Sequence, residues 1–166
     1  MTDPRSRSAY RLVVESPVGP LLLAGTAEAL TELRFGDRRA ARRWMRGRAP
    51  APPVLREAAR QLEAYFAGRL RAFRLPLAPE GTPFQQAVWK ALLGIPYGET
   101  LSYGEVARRI GKPSACRAVG AANRANPVAV VIPCHRVIGA DGSLTGYAGR
   151  LAVKRFLLEL EGALRA

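Results

Sequence analysis

A chain of 166 residues that is 48% hydrophobic can bury one full core, or two small ones, and no more. Lysine and arginine total 26 against 13 acidic residues, and the excess runs through both halves (15 basic and 8 acidic in residues 1–80, 11 and 5 in residues 81–166), so the body is cationic and no separate charged tail is indicated. Nucleic acid is the first partner such a field attracts and an anionic membrane surface the second. Base composition is the competing account, since only Lys90, Lys112 and Lys154 are lysines. The start, MTDPRSRSAY, has no apolar stretch behind its charges, and nearby runs such as Leu21–Ala24 are too short for a signal peptide or a membrane span, which predicts a cytoplasmic protein. Two cysteines and one histidine cannot furnish a four-ligand zinc site, and a reducing compartment disfavours a Cys116–Cys134 disulfide, leaving at least one thiol free for chemistry.

From Tyr10 to Phe35 the chain reads as β-rich runs, Arg11–Glu15, Leu21–Ala24 and Leu30–Phe35, broken at Pro17–Gly19 and Gly25–Thr26, which predicts an antiparallel meander. The Arg-dense stretch Arg38 to Arg48 reads as a solvated loop or helix face in preference to a nucleic-acid arm. Leu55, Ala58, Leu62 and Phe66 then recur at helical spacing over Val54–Phe66, with Gly68 closing the helix over one face of the sheet. The turn-rich segment Pro76–Gly81 is the predicted linker between an N-terminal domain, 1–79, and a second domain, 80–166.

The second domain reads as helical. Thr82 and Pro83 open a helix over Pro83–Leu93 that stops at Gly94. Ser102 caps Tyr103–Ile110, Gly111-Lys112-Pro113 turns the chain, and Ser114 is expected to cap a helix running to about Arg124: a helix-turn-helix. That last helix is rich in small residues (Ala115, Ala118, Gly120, Ala121, Ala122), which suits close approach either to another helix or to a nucleic-acid groove.

The chemistry sits at Pro133-Cys134-His135-Arg136, after the apolar run Val128–Ile132. Two cationic or proton-accepting neighbours favour thiolate at Cys134, although a cysteine behind four apolar residues is more often a buried hydrophobe. Cys116, between Ala115 and Arg117, fits the buried reading and receives no role.

The segment IPCHRVIG, Ile132–Gly139, resembles the active-site signature of the O6-alkylguanine-DNA alkyltransferases, the methylated-DNA–protein-cysteine methyltransferases. The resemblance extends through Asn126-Pro127, Arg117–Gly120, IPYGETLSYGE, LTGYAG and LLELEG, covering residues 80–163, and is only in outline before residue 80. It implies an α/β (α+β) protein with a small N-terminal antiparallel sheet and helix, followed by a mostly helical, winged-helix-like domain that holds the helix-turn-helix.

The resemblance further implies direct repair of double-stranded DNA. A flipped O6-alkylguanine gives its alkyl group, irreversibly and once, to Cys134. His135 removes the thiol proton through a water, Glu161 orients the imidazole, Asn126 ties the helix-turn-helix to the active-site segment, and Tyr103 protonates guanine N3. The carbonyls of Cys134 and Val137 receive the guanine amino group, and Tyr147 and Ala148 line the pocket. Arg117 is the finger that fills the vacated stack, Ala118, Ala121 and Ala122 allow the recognition helix to approach, and Tyr103 and Gly104 meet a phosphate. No metal or organic cofactor is expected, and the protein is expected to be a monomer that can cluster on DNA. Arg150 departs from the pattern, standing where many members carry a second glycine. Ranked below this reading are a non-reacting lesion-binding relative, a cysteine hydrolase, and an ordinary helix-turn-helix transcription factor.

Overall fold

The structure is a computed structural model that describes residues 9–47, 49–147 and 150–164. Its contacts divide the chain into two units, Met1–Glu80 and Gly81–Ala166.

The first unit is built on three antiparallel strands in the order β1 (Tyr10–Val14), β2 (Leu21–Gly25), β3 (Leu30–Phe35). Leu12 pairs with Leu23, and Leu23 with Leu33, so the central strand LLLAG is buried along its whole length. Gly25 sits where the β2–β3 register shifts, and a Cβ there would lie 2.5 Å from the Ala29 carbonyl oxygen and 3.1 Å from Leu55 Cδ2. Only glycine lets the helix come that close to the strand end.

That helix is α2 (Pro53–Phe66), one residue longer at its start than predicted because Pro53 suits a first helical turn. Leu55, Ala58, Leu62 and Tyr65 are buried against the strands, each large aliphatic side chain contributing about 1.5–3 kcal/mol by its burial. The Arg-dense stretch forms a short helix, α1 (Arg38–Trp44), capped by the Asp37 side chain on Ala40 N at 2.7 Å. Trp44 anchors it by an indole hydrogen bond to the Leu23 carbonyl at 2.7 Å. The predicted linker is ordered in its first half: Leu77 forms a parallel bridge with Leu30, through Leu30 N to Pro76 O and Ala78 N to Leu30 O, both 2.9 Å.

The second unit contains α3 (Pro83–Leu93), α4 (Tyr103–Arg109), α5 (Cys116–Arg124) and α6 (Leu151–Leu160). Two capping boxes start α3 and α4: Thr82 with Gln85, and Ser102 with Glu105. Helix α5 begins later than expected; Ala115 is its N-cap and makes no side-chain bond, so Ser114 does not cap it. Its position comes from tertiary packing, with Trp89 of α3 donating its indole N–H to the Ala122 carbonyl at 2.9 Å. Two short strands, β4 (Leu101–Ser102) and β5 (Val137–Ile138), pair in parallel, which sets the start of α4 beside the segment that carries Cys134.

Candidate active site

Cys134 is presented by two consecutive three-residue turns. Val131 N bonds Ala129 O at 2.8 Å around Val130, whose φ of 70° is costly for a β-branched residue. Cys134 N then bonds Ile132 O at 2.8 Å around Pro133 (φ −81°, ψ 64°), the common inverse form that the proline ring favours. A 3-10 turn over Cys134–Arg136 follows. Strain stored beside a reactive residue is a feature of functional sites.

Asn126 secures this path, donating from Nδ2 to Ile132 O at 2.8 Å and accepting from Val128 N at 3.0 Å. Asn123, which no sequence motif singles out, is buried and donates to the Cys134 carbonyl at 3.2 Å. The C-terminal residues of α5 and the loop after it thus fix the cysteine's backbone.

The thiol itself is buried, and burial pushes it up to about 11, against the lowering effects of an Asn126 side-chain hydrogen bond and the Lys154 charge. Contrary to the sequence expectation, the adjacent Arg136 does not make a resting thiolate. Its guanidinium turns away to Glu161, Nε to Oε2 and Nη2 to Oε1 both at 2.9 Å, and to the Ile95 carbonyl at 2.6 Å.

His135 is fully buried, with Nε2 2.8 Å from Glu161 Oε1. Burial holds its imidazole below the usual value despite Glu161, so at neutral pH it is uncharged. Burial pushes the Glu161 carboxyl up, but the hydrogen bonds from His135 and Arg136 outweigh it and bring the group to about 2. A neutral ring facing a carboxylate carries its proton on Nε2, which leaves buried Nδ1, with no hydrogen-bond partner, as the basic atom. Such an arrangement can serve as a nucleophile, a base and an orienting carboxylate.

Lys154 belongs to the site and was not anticipated. Its side chain is wholly buried, donating to Val137 O at 2.5 Å and Thr145 O at 2.9 Å, with Nζ 6.0 Å from the Tyr103 ring centroid and 5.9 Å from that of Tyr147. Burial lowers its ammonium to about 8. A signal was present: Lys154, Leu157, Leu158 and Glu161 follow i, i+3, i+4, i+7, which puts two charged residues on the apolar stripe of α6.

Tyr103 Oη donates to Thr145 O at 2.8 Å, and burial raises its phenol, so it keeps its proton at neutral pH. Gly146 packs over that hydroxyl: its φ is 64° and a Cβ would lie 2.9 Å from Tyr103 Oη. The Cys134 carbonyl already accepts two bonds, from Asn123 Nδ2 and from the Val137 backbone N–H, whereas the Val137 carbonyl accepts one from Lys154 Nζ. Tyr147 is partly buried, and Ala148 lies outside the described residues.

On the helix-turn-helix, Arg117, Ala118 and Ala121 are exposed and Gly104 is partly so. Ala122 is not on that surface. It is 2% exposed, its small side chain serving the packing of α5, so its expected approach to DNA is withdrawn. Cys116 is exposed, not the buried hydrophobe expected. Among the described residues no group of three or more His, Cys, Asp or Glu could hold a metal, and no helix is long and apolar enough to cross a membrane.

Two family models match almost the whole chain: the DNA-binding domain of 6-O-methylguanine DNA methyltransferase over residues 83–163 and its ribonuclease-like domain over residues 9–79. The chain belongs to this methyltransferase family. A methylated-DNA–protein-cysteine methyltransferase of Methanosarcina acetivorans is 54% identical over 154 residues, 93% of this chain and 99% of the relative. One from Mycobacterium tuberculosis is 54% identical over 155 residues, 92% and 91% of the two chains. The crystal structure of Mycobacterium tuberculosis OGT in complex with DNA superposes with a TM-score of 0.83 at 52% identity, covering 93% of each chain. The methyltransferase architecture, a three-stranded sheet followed by a mostly helical part, is thus common to the chain and its structural neighbours.

Proposed function

We propose that Cys134 is the acceptor through which this methyltransferase repairs DNA, taking the alkyl group from O6-alkylguanine once per molecule. The observation that carries this reading is the buried chain Cys134, His135, Glu161, in which the imidazole is neutral, its Nε2 is held at 2.8 Å by the carboxylate, and Nδ1 has no partner. A thiol held near 11 needs a base at the moment of attack, and a neutral Nδ1 reached through one water supplies it.

The sulfur attacks the saturated carbon on O6, a C–S bond forms and the C–O bond breaks. The thiol proton passes to His135, and the departing guanine takes a proton at N3 from Tyr103, which is restored by the proton that left the thiol, so the net transfer is from sulfur to guanine. The product is a thioether that water does not cleave at a useful rate, so the protein is consumed. Glu161 offsets the imidazolium that forms, as the aspartate of a hydrolase triad does. The Val137 carbonyl receives the guanine amino group, the Cys134 carbonyl sharing it only beside the two bonds it already accepts, and Tyr147 lines the pocket.

A stacked base cannot be reached, so the nucleotide is rotated out at a cost of a few kcal/mol. Exposed Arg117 enters the vacated stack, Ala118 and Ala121 let α5 lie close to the groove, and Tyr103 and Gly104 meet the backbone. We take the protein to be a cytoplasmic monomer needing no cofactor and able to cluster along DNA.

The test is a titration with excess duplex carrying one O6-methylguanine. Restored guanine should plateau at one per protein and be absent in Cys134→Ser; continued turnover would refute the reading.

A further inference from the structure

The arginines of α1 have no part in the chemistry above. Arg38, Arg39, Arg42, Arg43 and Arg46 are all exposed and together line a concavity of about 690 Å³ that contains no other residue type. Among the described residues none of the five forms an ion pair. Asp37, the acid next to them, is committed to capping Ala40 N.

Arg38 with Arg42, and Arg39 with Arg43, stand one turn apart, so their backbone positions repeat about every 6 Å along the helix axis. Like charges at that spacing repel; the N-cap carboxylate of Asp37 attracts Arg39 and Arg43 without forming an ion pair with either, so the repulsion is only partly offset. The helix keeps its place because Trp44 holds it to β2 and the Arg11 guanidinium stacks on the Trp44 ring at 4.4 Å. The cationic face is therefore built on a fixed support.

We propose that this face of α1 is a second DNA-binding surface, which grips backbone phosphates of duplex DNA independently of the helix-turn-helix. Guanidinium forks match phosphate oxygens in pairs, which a lysine patch would not do. A bilayer is the poorer fit, because interfacial binding needs apolar side chains beside the charges. The exposed large hydrophobics among the described residues, Leu93, Leu151 and Phe156, all lie in the other unit. The choice of duplex DNA as the polyanion rests on the repair reading above; the surface itself does not.

The experiment compares the full-length protein with an Arg38→Gln/Arg42→Gln/Arg46→Gln variant, measuring affinity for an undamaged duplex as salt is raised. Each phosphate contact contributes about 0.9 to the slope of log affinity against log salt. The slope should fall by roughly two to three, while the rate of methyl transfer at saturating damaged duplex stays unchanged. An unchanged slope would overturn the proposal.

In the unaltered protein, an arginine-selective dicarbonyl reagent should label these five residues, and duplex should protect them, as mapped by peptide mass after a protease that does not cut at arginine. Equal labelling with and without duplex, or protection by anionic vesicles in its place, would also overturn it. Failure of methyl transfer in the unaltered protein would sink the repair reading and leave both binding measurements standing.

Discussion

Arg136 and Glu161 meet inside the protein through two hydrogen bonds of 2.9 Å, Nε to Oε2 and Nη2 to Oε1, with the residues only 7% and 5% exposed. The same Oε1 lies 2.8 Å from His135 Nε2. One carboxylate thus neutralises a buried cation and sets the tautomer of the base.

Glu161→Gln should therefore cost stability as well as rate, because Arg136 is left buried without its counter-charge, a loss of about 3–5 kcal/mol. The pH dependence has a definite sign. Glu161 is held at about 2 in the folded chain against 4.5 when free, so its stabilisation is complete above pH 4.5 and is lost as pH falls through about 2. Urea midpoints should drop more steeply across that window in the unaltered protein than in Glu161→Gln, and parallel curves would contradict the pairing.

Lys154 places its charge near Cys134, with an ammonium lowered to about 8. The methyl-transfer rate at saturating duplex should rise with pH as His135 becomes neutral and then decline above about 8, where the lysine loses its proton. Lys154→Met should be slower at pH 7 and lack the decline; one pKa unit at the thiol is roughly a tenfold change in thiolate. Stability moves the other way. Because the free lysine titrates at 10.5, the fold should gain stability between about pH 8 and 10.5, where the unfolded chain holds a proton that the folded one has released.

Gly146→Ala would push a methyl group against Tyr103 Oη and also meet the strain of a φ of 64°. Displacing the phenol should slow methyl transfer toward the level of Tyr103→Phe, about 10²-fold for loss of a general acid, with affinity for undamaged duplex little changed. Equal rates in Gly146→Ala and the unaltered protein would show that the hydroxyl's position does not matter.

Arg150 opens α6 with φ 88° and ψ 143°, a conformation that a side chain resists. Arg150→Gly should raise the denaturation midpoint by about 1 kcal/mol of stability, the scale of strain at such positions. A lower midpoint would mean that the arginine side chain contributes more than the strain costs.

These particulars also explain what could be read ahead of the structure. Helices α3 and α4 were legible because their signals are local: Thr82 with Gln85 and Ser102 with Glu105 are capping boxes three residues apart. The start of α5 was not, since its N-cap, Ala115, contributes no side-chain bond and packing under Trp89 decides where it lies. That same packing buried Ala122, which spacing alone had grouped with exposed Ala118 and Ala121. Cys134 and His135 stood out through a contiguous motif, and Asn126 through the family resemblance alone. The Arg136–Glu161 pair is not legible in the sequence, because its partners lie 25 residues apart while Arg136 stands beside Cys134 and His135. Lys154 is legible in principle, as a charge on an apolar stripe, but the stripe alone does not say what the charge faces.

The most direct test of the central claim is peptide mass after mixing the protein with a duplex carrying one O6-methylguanine. Trypsin separates the two thiols, Cys134 into Ala125–Arg136 and Cys116 into Ile110–Arg117. A stoichiometric gain of one methyl on the Cys134 peptide alone, absent in Cys134→Ser, is the predicted result. A methyl on the exposed Cys116, or on neither peptide while the damaged duplex is still bound in preference to an undamaged one, would contradict it.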